Sequence, residues 1–219
     1  MSLAARDLKF DITDSVPSRW SPDQPEFSHV ASAFMAALPY LEPYFIQNIR
    51  EALTHLSDER IARDAKGFIE QEARHAQQHR DWNQVLARRY PGFEKVERAI
   101  KARLSKSRKQ HSLGFRLAYT SGYEALTYQI ACFMLEQRHM LLKDADPRMI
   151  ALLSWHAAEE VEHKSVAFDV YAALDADLAW RQKLDGASGR VTDREAAKGG
   201  ARAIANIIEV PAQRVLPRE

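Results

Sequence analysis

Two short segments of the chain repeat one arrangement, Glu72-Ala-Arg-His75 and Glu160-Val-Glu-His163. Residues three apart on a helix share a face, so each Glu-x-x-His offers an oxygen and a nitrogen to one point. Two further acids stand in comparable settings. Glu42 is the only charge in the stripe Phe34, Leu38, Glu42, Phe45, Ile49, and Glu124 the only one in Leu113, Leu117, Thr120, Glu124, Thr127, Ala131. One glutamate from each of two helices, with Glu-x-x-His from each of two others, is the ligand set of dinuclear carboxylate bundles. Four carboxylates in the centre of one core would be strongly disfavoured alone. Two divalent cations would cancel their charge. The set Glu42, Glu72, His75, Glu124, Glu160 and His163 is therefore expected to hold two divalent metal ions. Hard oxygens with imidazoles suit iron first and manganese next. Zinc stays open, because affinity favours it even though its structural sites prefer four ligands and often sulfur.

The elements that must position these groups follow from periodicity. Ile61, Ala65, Phe68, Glu72, His75, His79, Trp82 and Leu86 trace one face of a helix, apolar or small at its ends and polar at its middle. Met149, Leu152, His156, Glu160, His163, Ala167, Val170 and Leu174 trace a second such face. Four long helices are expected, over about 29–56, 58–89, 112–143 and 148–179, with a shorter one over about 94–109 linking the second to the third. If the second and fourth run antiparallel, His79 and His156 fall at the same end of the metal site and face each other across the core. They are expected to act as catalytic proton carriers, bonded to ligating carboxylates, or as further ligands. Glu70, Glu159 and Glu162 fall off the stripes and read as solvated or supporting groups.

The whole chain fits this reading. Its 219 residues are 46% hydrophobic and 28% charged, which supports one sizeable core. With 31 Lys+Arg against 30 Asp+Glu, no global charge attracts nucleic acid or an anionic membrane. The linking helix has seven basic residues between Lys95 and Lys109, but Val96, Ile100 and Leu104 give it an apolar stripe and the basic face reads as solvated. A single cysteine, Cys132, excludes an intrachain disulfide and a cysteine-rich zinc site. No signal-like start and no run of about 18 apolar residues is found, so a cytoplasmic protein without stable membrane insertion is expected. The fold class is all-α, a four-helix bundle over residues 29–180. Residues 1–28, with Pro17, Pro22 and Pro25, are expected to be extended, and residues 181–219 a flexible or short-helical tail.

Three stretches resemble a known bacterial family, the predicted metal-dependent hydrolases. They are Leu38-Pro-Tyr-Leu-Glu-Pro-Tyr-Phe45, then Gly67-Phe-Ile-Glu-Gln-Glu-Ala-Arg-His75 with His79 and Asn83, then Trp155-His-Ala-Ala-Glu-Glu-Val-Glu-His-Lys-Ser-Val-Ala-Phe-Asp-Val-Tyr171. The likeness covers about residues 8–175; the family's C-terminal helical segment is not recognisable after Asp175. It implies a ferritin-like bundle and hydrolysis. The carboxylate-rich site itself resembles di-iron oxygenases and oxidases as closely. The expected function is thus a metal-dependent enzyme acting on a small organic substrate by hydrolysis or by oxygenation. The alternatives are a metal-handling or ferroxidase-like protein and a bundle whose ions only hold the fold. A homodimer is compatible with all of these.

Overall fold

A computed structural model describes residues 3–175. The expected flexible or short-helical tail over 181–219 and the end of the fourth expected helix lie outside the described residues. Within them the chain is all-helical: α1 Pro25–Met35, α2 Leu38–Leu53, α3 Glu59–Arg89, α4 Phe93–Gln110, α5 Leu113–Glu136, α6 Arg138–Leu141, α7 Pro147–His163 and α8 Val166–Asp175.

Helix starts follow local chemistry. The Asp58 carboxylate accepts from the backbone N–H of Arg60 and Ile61, Ser112 accepts from Phe115, and Asp146 accepts from Arg148 ahead of Pro147. These side chains satisfy donors that a helix N-terminus leaves bare. Gly92 sits at φ 90°, which favours glycine, and turns the chain sharply from α3 into α4.

Three of the expected long helices are interrupted. The first is α1 and α2, broken at Ala36-Ala37. Pro39 lies at the second position of α2, and its ring cannot tolerate a helical carbonyl at Met35, the last residue of α1. The segment expected to be extended also turns helical earlier, at Pro25. The third long helix ends at Glu136 and is followed by the single turn α6. The fourth is α7 and α8, broken at Lys164-Ser165 directly after His163.

Side-chain pairs give the topology. Phe68 meets His163 while His79 meets His156, so α3 and α7 are antiparallel. Asn48 bonds Thr120 while Arg116 bonds Glu51 and Phe45 packs on Tyr123, so α2 and α5 are antiparallel too. Asn83, near the end of α3, bonds the carbonyl of Ala36, just before α2. Helices α3 and α5 therefore run the same way, and the chain must return along the bundle between them. The eighteen residues of α4 do this, rising about 27 Å. Its Leu104 is buried, and Ser107 hydrogen-bonds Tyr44 on α2.

Both chemistry-bearing stripes point inward. All eight residues of the α3 stripe are buried, and so are all eight of the α7–α8 stripe, across its break. Phe45, Phe68, Trp82, Leu117, Met149 and Leu152 close the core above and below the polar middle.

Candidate metal centre

Glu42 on α2, Glu72 and His75 on α3, Glu124 on α5, and Glu160 and His163 on α7 are all buried, none more than 5% exposed. The structure brings them together. The Oε1 atom of Glu72 lies 3.4 Å from His75 Nδ1 and 3.2 Å from His163 Nε2. The Oε1 atom of Glu160 lies 3.9 Å from His75 Nδ1 and 4.0 Å from His163 Nε2. Glu72 and Glu160 thus both stand between the two imidazoles. Glu124 stands at the His163 side, 3.2 Å from its Nδ1, and Glu42 stands 4.0 Å from His156 Nε2.

These contacts are close, yet few are hydrogen bonds. Both oxygens of Glu42, one oxygen each of Glu72, Glu124 and Glu160, His75 Nδ1 and both ring nitrogens of His163 have no hydrogen-bond partner. Buried polar atoms are rarely left so. Donor atoms aimed at a common centre, and not at one another, produce this pattern. Neighbouring ligands about 2.1 Å from one cation sit about 3 Å apart, with their lone pairs directed inward. The residues fit a divalent cation. Two groups each bring one donor atom per residue within 4.8 Å of one another: Glu72, His75, Glu160 and His163, and separately Glu42, His79 and His156, with Glu124 in neither.

The charges of the cluster are matched by protons. Burial pushes the Glu42 carboxyl well above the usual range, and Glu72, Glu160 and Glu124 push it further. Burial, then Glu160 and Glu72, raise Glu124 to about 8 against the opposing pull of His163. Burial also opposes ionisation of Glu72, but His163 and His75 hold it well below the ordinary value. The two imidazoles take up the balance. Burial disfavours their charge, yet Glu159 and Glu72 raise His75 to about 9, and Glu160, Glu124 and Glu72 raise His163 well above its ordinary value.

His79 and His156 meet across the core, with His79 Nε2 2.5 Å from His156 Nδ1. The structure corrects the expectation that each bonds a carboxylate. His156 Nε2 does, 2.8 Å from Glu160 Oε1, whereas His79 bonds only the other ring. Burial opposes ionisation of Glu160, but His163 and His156 keep it ionised, so it only accepts and His156 Nε2 donates. Burial lowers both His79 and His156, and as a neutral ring His156 must accept at Nδ1 from His79 Nε2. His156 also stacks on His75, centroids 4.2 Å apart.

Sequence reasoning left Glu159 among the solvated or supporting groups. Its side chain is wholly buried and accepts from His75 Nε2 and from Trp155 Nε1, each at 3.0 Å. That bond turns His75 Nδ1 toward Glu72 and Glu160. A buried tryptophan one helical turn before the acid was the only local signal. Glu70 is exposed and Glu162 lies at the surface, as expected of groups off the stripe.

Among the described residues, no helix is long and apolar enough to cross a membrane. A comparison with curated proteins finds no match, and neither does one with solved structures. The family model described as predicted metal-dependent hydrolase matches residues 4–185, most of the chain and every residue of the cluster. The chain belongs to the family of predicted metal-dependent hydrolases.

Proposed function

We propose that the chain is a metal-dependent hydrolase of a small organic substrate, built on a dinuclear carboxylate–histidine centre in a ferritin-like bundle. The supporting observation is the gathering of Glu72, His75, Glu160 and His163 into one buried donor group, with unpartnered oxygens of Glu42 and Glu124 beside it. Glu72 and Glu160 would bridge two divalent ions. Glu42 and Glu124 would cap them, and His75 and His163 would each bind one. Iron is the first candidate, then manganese or zinc. Bound there, such ions supply Lewis acidity and lower the pKa of a water toward neutrality.

The remaining steps belong to the chain. Glu159 holds the His75 ring in one orientation. His156 can give its Nε2 proton toward Glu160 and be resupplied at Nδ1 by His79 through their common bond. The apolar ends of the stripes exclude bulk water and so sharpen each charge interaction.

The test is elemental analysis of protein purified without added metal, followed by a panel of carboxylic esters, amides and phosphoesters. Two equivalents of metal with hydrolytic turnover of one class are expected. The donor set also suits iron and redox chemistry. Two irons, no hydrolysis, and dioxygen uptake by the reduced protein would replace this reading with an oxygenase or oxidase. Iron uptake and oxidation without turnover of any organic compound would replace it with the metal-handling reading.

A further inference from the structure

The extended N-terminal segment lies along α3 for most of its length. Leu3 sits on Gly67, Gln71 bonds the carbonyl of Ala4, Gln78 bonds the carbonyl of Leu8 and the N–H of Phe10, and Arg88 pairs with Asp14. Positions rise together on both partners, so the strap and α3 run parallel. The lengths agree: eleven extended residues from Leu3 to Asp14 cover about 36 Å, and twenty-one helical residues from Gly67 to Arg88 rise about 32 Å. On its other side the strap reaches α7, where Phe10 packs against Trp155, ring centroids 5.3 Å apart.

One strap residue touches the support of the metal centre. Arg6 donates to Glu159 Oε1 from its backbone N–H at 3.2 Å and from Nη1 at 3.0 Å. Its guanidinium also pairs with both oxygens of Glu162. The other oxygen of Glu159 receives His75 Nε2. Glu159 is wholly buried, and a buried carboxylate needs several donors to stay ionised and fixed. Arg6 supplies two of them and the only fully charged side chain that hydrogen-bonds Glu159 besides the imidazole.

We infer that Arg6 is a positioning residue for the metal centre: the strap, through Arg6 and Glu159, aims His75 Nδ1 at the ion. The inference rests on the metal reading of the cluster. The strap's seat is built for this register, since a Cβ at Gly67 would lie 2.7 Å from Leu3 Cβ and force the strap to shift.

The test uses the full chain, stripped of metal and titrated with cobalt(II) alone, reading affinity and the visible absorption of the bound ion. Arg6→Met should weaken the ion bound by His75 about ten- to hundredfold and alter its spectrum. Arg6→Lys, which keeps a charge within reach of Glu159, should recover most of the affinity. Gly67→Ala should weaken binding in the same direction by displacing the strap. Arg88→Met, which frees only the far end of the strap, should leave affinity and spectrum unchanged. Wild-type affinity and spectrum in Arg6→Met, or an equal loss in Arg88→Met, would overturn the inference while leaving the metal reading intact. A wild-type chain that takes up no cobalt would end both.

Discussion

The two Glu-x-x-His motifs look alike in sequence and are held differently. His75 has one ring nitrogen tied to Glu159 and the other turned to the cluster. His163 has both nitrogens facing carboxylates, Glu72 on one side and Glu124 on the other, with no hydrogen bond to fix its ring. The difference traces to the residue before each glutamate. Before Glu160 stands Glu159, which reaches His75; before Glu72 stands Gln71, which turns away to Ala4 and Glu162. Aromatic edges lie against both rings, Trp155 on His75 and Phe68 on His163, so packing alone does not separate them. On the proposed metal reading, the His75 ring is oriented before any ion arrives, and the His163 ring would be oriented by the ion's own ligand shell.

The largest effect should come from erasing what the halves share. Glu72→Ala and Glu160→Ala each remove a carboxylate that faces both imidazoles, leaving two cations poorly screened from each other. Each variant should lose at least one equivalent of metal by elemental analysis while staying helical by circular dichroism. Full occupancy in either would refute bridging.

Acidity should act on both halves together. His75, raised to about 9, and Glu124, raised to about 8, carry protons in the metal-free protein at neutral pH. An ion must displace them, so affinity should rise with pH up to about 9 and fall below about 8. Each displaced proton changes it about tenfold per pH unit. Titrations with manganese(II) at pH 6.5, 7.5 and 8.5 read this directly; a flat profile would mean that the ions bind elsewhere.

Glu159→Gln should separate the halves. The amide keeps the shape but loses the charge that holds His75, so one ion should weaken about ten- to hundredfold and the other little. Equal weakening of both would show that the asymmetry has no energetic weight. The smallest effect on binding is expected from His79→Ala, which removes no ligand of the bridged pair. Metal content should be spared, and turnover of whichever substrate the panel identifies should slow about tenfold to a hundredfold. Loss of an ion would instead make Glu42, His79 and His156 a ligand group in their own right.

Much of this arrangement is legible in a helical period. Every residue of the Ile61–Leu86 and Met149–Leu174 stripes is buried, because a 3.6-residue repeat commits a face before any tertiary contact forms. Asp58 and Ser112 mark their helix starts for equally local reasons. The misses are of two kinds. Pro39 carries a readable signal for the break after Met35, outweighed by the apolar pattern around it. Lys164-Ser165 carries none, having neither proline nor glycine. Glu159 could be read only as solvated or supporting, because the contacts that decide between the two include a strap more than 150 residues away in sequence. No periodicity within α7 separates it from Glu162, which stays at the surface.

The paired rings of His79 and His156 have one more consequence. Two neutral imidazoles joined in a single hydrogen bond form a wire with a direction: each donates forward and accepts behind. A proton crossing it exchanges the tautomers of both rings, and the wire then points backward until the rings turn over or the protons return. His156 is clasped between His75 on its face and Glu160 at its far nitrogen, and His79 is wholly buried, so neither ring turns freely. The pair is therefore suited to hold one proton and give it back within a cycle. It is poorly suited to export a stream of protons to solvent, and a reaction run at this centre should balance its protons locally.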